Sequence, residues 1–211
     1  MRKGKRTYGD RCGVARALDL VGERWALLIV RELLLGPKRF TDLRAGLPHV
    51  SPDVLAQRLR ELEQAGVLQR GTLPPPAGSR IYELTERGRE LEPVMLALGR
   101  WGSAAPVPPG EPGMSEDALV IALKTLFDPA AADGFAARYE LRLAQQRFRI
   151  DVADGRLEAA RGNADAPDAT IEAEVGTLAT VLWHGGDPGD LKTAGDARAV
   201  ERFLRLFAPP G

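Results

Sequence analysis

The 211-residue sequence predicts an α+β protein of two halves, and three observations carry that prediction. Residues 51–85 read as one amphipathic helix followed by two short strands, and the segments before them read as helices. In the second half, after a helix read over Glu116 to Phe127, the apolar period changes from about 3.6 to about 2, the repeat of half-buried strands. The net charge of zero divides near the same place: residues 1–104 carry 18 Lys+Arg against 12 Asp+Glu, a net +6, and residues 105–211 carry 11 against 17, a net −6. A basic half attracts phosphate, whereas an acidic half is repelled by it and is left to another partner. The expected architecture is an N-terminal winged helix-turn-helix domain over residues 1–102, a Pro-rich linker over 103–114, and a C-terminal α/β domain over 115–211 whose mainly antiparallel sheet is covered by helices.

Composition narrows the class further. A hydrophobic content of 44% with 27% charge excludes global disorder. The strongest apolar run, Trp25 to Leu35, is interrupted by Arg31 and Glu32 and falls short of a membrane span. The basic start MRKGKR has no hydrophobic signal core behind it, so a cytoplasmic protein is expected. One cysteine, Cys12, excludes an intramolecular disulfide framework.

Taken in order, residues 1–9 read as a mobile basic arm. Val14, Ala17, Leu18 and Val21 keep helical spacing up to Gly22. ERWALLIVRELLL, Glu23 to Leu35, reads as a central helix with Trp25 in the core, closed by Gly36-Pro37. Thr41 is the expected cap of a short helix through Ala45, and a turn over Gly46 to Val50 leads to the next helix. There Ser51 caps, Pro52 fits the first position, Leu55, Leu59 and Leu62 form the packed face, and Gly66 stops the helix. VLQRGTL and SRIYELT read as antiparallel strands around a projecting Pro74-Pro75-Pro76-Ala77-Gly78 loop. Thr85 caps a helix kinked at Pro93, in which Leu91, Val94, Met95, Leu98 and Trp101 form an apolar stripe that a second subunit would bury.

In the second half, Glu116 to Phe127 reads as a helix. Phe135 to Leu143 and Phe148 to Val152 alternate as strands, and Asp154-Gly155 marks a hairpin into Arg156 to Ala160. Asp168 to Glu174 reads as a further strand, Thr177 opens a helix with Leu178, Val181 and Leu182, and Asp196 caps a last helix with Val200, Phe203, Leu204 and Phe207. The expected result is a meander sheet with helices on one face.

Two resemblances follow from these residues. Cys12, the Gly22 to Trp25 turn, Gly36 with Arg39-Phe40 and Leu43, the Leu55/Arg58-Leu59/Leu62 helix, Gly66, Leu84-Thr85, Gly88 and Trp101-Gly102 stand at the spacing of the HxlR-type winged-helix transcription regulators, relatives of MarR. The resemblance covers residues 10 to 102 and implies a homodimer on double-stranded DNA, with the Ser51 helix in the major groove and the Leu73 to Arg80 wing on backbone or minor groove. On that arrangement Gln57 is the expected base reader, Ser51, Pro52 and Ala56 allow close approach, Arg60 serves bases or phosphate, and Arg39, Arg44 and Arg80 hold phosphates. The wing departs from the pattern, since its tip is proline-rich with only Arg80 near it.

The second half, chiefly DATIEAEVGTLATVLWHGGDPGDLKTAGDARAVERFLRLF, resembles the sterol-carrier-protein-like fold over residues 116 to 208. This implies an apolar cavity for a hydrophobic small-molecule effector, with Phe135, Tyr139, Leu141, Phe148, Ile150, Leu178, Leu182, Trp183, Phe203 and Phe207 as the lining. The same side chains serve equally as core, and the sequence leaves both readings open.

No catalytic constellation is expected. His49 and His184 stand in different halves, and no HExxH, zinc-spaced Cys/His set or GxxxxGK is present, so neither metal nor nucleotide cofactor is expected. Two readings compete with an effector-controlled regulator: a thiol-based redox sensor acting through Cys12, and a lipid-carrier or adaptor protein that uses the winged helix for protein docking.

Overall fold

The computed structural model describes residues 7–73, 78–106 and 113–207. Contacts group the chain into two compact units, Met1–Glu92 and Pro93–Gly211. The Pro74 to Ala77 loop tip, the first six residues and the centre of the expected linker lie outside the described residues.

The first unit runs α1 (Gly13–Val21), α2 (Ala26–Leu33), α3 (Phe40–Gly46), α4 (Pro52–Gln64), β1 (Leu68–Thr72), β2 (Arg80–Leu84) and α5 (Glu86–Arg89). Ile29, Val30, Leu33, Leu43, Leu55, Leu59, Leu62, Leu68 and Leu84 are fully buried, so the leucine face of α4 is the centre of this core. β1 and β2 pair antiparallel from Leu68↔Leu84 to Thr72↔Arg80. Lys38 and Tyr82 exchange both backbone hydrogen bonds, which ties the segment before α3 to β2. Beneath that tie lies a buried ion pair: the Lys38 ammonium donates to Glu32 Oε2 at 2.6 Å, and Arg31 donates to Glu32 Oε1 at 2.9 Å.

Four local expectations are corrected. The central helix begins at Ala26 rather than Glu23, because Trp25 takes a left-handed φ of +78° and turns the chain there. Its ring is half-exposed beneath the Arg24 guanidinium, 5.0 Å away, and is not part of the core. Thr41 lies inside α3; the cap position belongs to Arg39, whose backbone N–H donates to Asp42. Thr85 caps only the short α5, and α6 (Glu92–Ser103) starts afresh with Pro93 in its first turn, where a missing N–H costs nothing.

The second unit contains α6, α7 (Glu116–Leu126), β3 (Ala137–Leu143), β4 (Gln146–Ala153), β5 (Arg156–Arg161), β6 (Ala169–Ala173), α8 (Val175–Trp183), β7 (Lys192–Gly195) and α9 (Ala197–Leu204). α6 is tied to α7 by the Arg100 guanidinium, which donates to the Thr125 carbonyl at 3.1 Å. Contacts therefore group α6 with the second unit, while composition places the boundary after it. The β4–β5 hairpin turns at Asp154 and Gly155, both at positive φ. The meander stops at β5: the sheet order is β5-β4-β3-β6-β7, with β6 parallel to β3 and every other pair antiparallel. α8 opens at Val175, two residues before Thr177.

Tyr139, Leu141, Leu143, Phe148, Ile150 and Ile171 are fully buried on one face of this sheet. Tyr139, Phe203 and Phe207 pack edge to face, with centroids 5.0 Å apart in each pair. The Tyr139 hydroxyl donates to the Ala199 carbonyl at 3.0 Å, and burial pushes its pKa well above the ordinary phenol value. The other face carries an ionic ladder. Glu140, 5% exposed, accepts from Arg142 at 2.7 Å and from the Ala164 backbone N–H at 3.0 Å, with Arg147 3.8 Å away.

The Arg142 hydrogen bond holds the Glu140 carboxyl below its ordinary pKa, and the Ala164 N–H and the nearby arginines add to it, against the opposing effect of burial. A depressed folded-state pKa gives stability that is present above the unfolded value, about 4.3, and is lost as pH falls through the folded one. Glu140→Gln is accordingly expected to destabilise the second unit at pH 7 and to flatten its loss of stability below about pH 4. Denaturation midpoints measured from pH 2 to 7 check this; parallel curves for variant and wild type would contradict it.

Candidate nucleic-acid interface

α3, the turn Leu47 to Ser51 and α4 form a helix-turn-helix whose buried sides, Leu43, Leu47, Val50, Leu55 and Leu59, anchor both helices in the core. Ser51 Oγ accepts from the Val54 backbone N–H at 3.4 Å, Pro52 occupies the first helical position, and Gly66 at φ +70° follows the end of α4, as the sequence predicts. This geometry turns Ser51, Pro52, Asp53, Val54, Gln57, Arg60 and Gln64 outward, with Ala56 half-buried beside them. Small groups near the helix start and longer polar ones a turn later are what a groove-entering helix presents.

Gln57 is held on both ends of its amide. Its Nε2 donates to Glu61 Oε1 at 2.5 Å, and its Oε1 accepts from Arg60 Nη2 at 2.8 Å. Glu61 Oε2 in turn accepts from Arg58, which also pairs with Glu23 at 3.3 Å in the turn between α1 and α2. Two residues on this surface escaped the sequence reading. Val54 is 38% exposed at i−3 from Gln57, where an apolar side chain can meet a thymine methyl. Glu61, at i+4, is the other; helical spacing to Gln57 was the available signal for both.

Arg39, Arg44 and Arg80 are all exposed. Arg39 stands at the start of α3, Arg44 on its last turn and Arg80 at the start of β2, on the side of the described wing residues nearest the loop tip. Arg70 on β1, not singled out from sequence, pairs with Glu63 at 2.8 Å and lies 6.0 Å from the Tyr82 ring.

The remaining candidates lie apart from this surface in sequence. Cys12 is an exposed free thiol at the start of α1. Near it, α1 and α5 border a groove of about 590 Å³ lined in part by Arg16, Leu20, Val67, Arg87 and Leu91. Of the stripe expected at a dimer interface, Val94, Leu98 and Trp101 are exposed, Trp101 at 80%; Leu91 is half-exposed, and Met95 is buried. Of the expected effector lining, Tyr139, Leu141, Phe148, Ile150, Leu178, Phe203 and Phe207 are buried, while Leu182, Trp183 and Phe135 are half-exposed. Phe135 borders an open groove of about 370 Å³ with Asp168, Asp196, Arg198 and Arg202. Among the described residues, no three His, Cys, Asp or Glu side chains are placed to hold a metal ion, and no helix is long and apolar enough to cross a membrane.

The model of the HxlR-like helix-turn-helix family matches residues 20–107. The chain is 39% identical over 88 residues to the uncharacterized HTH-type transcriptional regulator YvaP of Bacillus subtilis, a match that takes in 42% of this chain and 82% of that protein. The chain belongs to the HxlR-like family. It is also 41% identical over 85 residues to the HTH-type transcriptional regulator YodB of the same bacterium, covering 40% of this chain and 76% of YodB. The solved reduced form of YodB is 37% identical and covers 48% of this chain and all of that one, at a TM-score of 0.41. As an HxlR-like protein the chain is a DNA-binding transcription regulator, and the matched residues 20–107 include α3 and α4.

Proposed function

We propose that the chain acts as a homodimer that reads a specific operator through α4 and changes its affinity when a hydrophobic small molecule binds the second unit. The observation that carries the proposal is the outward row on α4, in which Gln57, flanked by Val54 and Arg60, stands clear of the buried leucines. Gln57 contacts a base, Ser51, Pro52 and Ala56 permit the approach, and Arg39, Arg44 and Arg80 neutralise phosphates. The dimer is supported by Val94, Leu98 and Trp101, a row at i, i+4 and i+7 that leaves apolar surface exposed. Ligand binding is supported by Trp183, whose buried indole N–H has no acceptor among the described residues and so offers a donor to a hydrophobic molecule carrying one oxygen. For control, that molecule must bind the two dimer geometries unequally.

Selection of binding sites from random duplex DNA tests the reading head. Gln57→Ala is expected to change the preferred base at one position in each half-site, at a cost of about 1–3 kcal/mol for the original base. Arg80→Ala is expected to weaken all sites alike and to lower the salt slope by roughly one for each phosphate left without its arginine. An unchanged preferred site for Gln57→Ala would remove it from the base-reading role. Native mass spectrometry tests the other two parts together. The wild type is expected at dimer mass with any retained hydrophobic molecule visible, and Trp101→Glu at monomer mass; an undiminished dimer in that variant would exclude the α6 stripe as the interface.

A further inference from the structure

We infer that Glu61 is a specificity-determining residue: it fixes the orientation of the Gln57 amide and thereby selects adenine over guanine at the base that Gln57 reads. The inference rests on the proposed role of Gln57 as base reader. A glutamine amide has two N–H donors and two acceptor lone pairs. Here one N–H is taken by Glu61 Oε1 and one lone pair by Arg60 Nη2, which leaves one donor and one acceptor facing outward. Those are the two groups that adenine matches in the major groove, with N7 as acceptor and N6–H as donor. Guanine presents two acceptors, N7 and O6, so a fixed amide oxygen would face guanine O6 with no proton between them.

An amide free to rotate loses this discrimination, because it can swing its NH₂ between both guanine acceptors. The clamp is itself braced from behind. Glu61 uses its second oxygen for Arg58, and Arg58 also reaches Glu23 outside α4, so the arginine that holds the carboxylate is itself tied to the turn before α2. Arg60 completes the clamp from the oxygen side, but it also faces outward and is expected to meet DNA on its own account. Glu61 is therefore the residue whose substitution isolates the effect.

The test is site selection from random duplex DNA by the full chain, comparing wild type, Gln57→Ala, Glu61→Ala and Glu61→Gln. Both Glu61 variants remove a negative charge near the phosphates and are expected to bind all DNA more tightly. The expected result is that Glu61→Ala lowers the adenine-over-guanine ratio at the Gln57 position by about tenfold, while Glu61→Gln, which keeps an oxygen acceptor at the same reach, retains it. A wild-type ratio in Glu61→Ala, with an altered one in Gln57→Ala, would overturn the clamp and leave the base-reading role standing. Equal loss in both Glu61 variants would overturn it too, since charge and not the acceptor would then be responsible. A wild-type ratio in Gln57→Ala would remove the base-reading role, and the clamp with it.

Discussion

Glu32→Gln is expected to destabilise the first unit by about 3–5 kcal/mol, a large share of the 5–15 kcal/mol typical of a domain. Glu32 is fully buried and accepts from both Lys38 and Arg31, and Lys38 is itself only 6% exposed. The substitution keeps the volume and removes the charge, so it takes away the carboxylate that both Lys38 and Arg31 meet in the interior. The position of the pair decides what fails. Lys38 is the residue whose backbone pairs with Tyr82 on β2, so its loosening releases the start of α3 from the wing hairpin. Operator affinity should fall together with stability, even though no residue of the pair faces outward. Hydrogen exchange resolved by peptide checks this: protection in α2, α3 and β2 should drop. Unchanged protection there would mean that Arg31 and Lys38 tolerate the neutral amide, and the pair would then contribute little.

What could be read from the sequence, and what could not, divides along a physical line. α4 was legible from end to end because its cap, its proline, its leucine spacing and its terminal glycine are all local signals. The Asp154-Gly155 turn was legible for the same reason. Trp25 was not, since a left-handed non-glycine residue is imposed by the packing on either side and nothing in ERWALL announces it. Alternation in β3 and β6 told which side chains share a face, but period says nothing of neighbours, so the parallel β3–β6 pair was beyond its reach. The α6 stripe shows a further limit. Met95 and Trp101 belong to one helical repeat, yet one is buried and the other is 80% exposed, and spacing alone cannot separate a residue of the local core from one left for a partner. On α4 the Gln57 to Glu61 contact is a plain i,i+4 pair, readable in principle, but spacing does not say which of the polar neighbours of Gln57 holds its amide.

Phe203→Ala is expected to cost the second unit about 3–5 kcal/mol, the range for deleting a large buried aromatic ring. Phe203 is fully buried and is the middle ring of three, meeting Tyr139 and Phe207 edge to face at 5.0 Å each, so its removal opens a cavity and breaks both ring pairs. Tyr139→Phe, by contrast, removes only the hydrogen bond to the Ala199 carbonyl and should cost about 1 kcal/mol. The difference identifies ring packing, rather than that bond, as what holds α9 on the sheet. It also carries a functional consequence under the proposed control. With Phe203→Ala, protection should drop across β3, β4 and α9, and any effector response of DNA binding should disappear, while the α3–α4 surface keeps its protection and the preferred operator is unchanged. Loss of base preference in this variant would show that α4 depends on the second unit for its own geometry, since the proposed reading residues, from Arg39 to Arg80, all belong to the first unit.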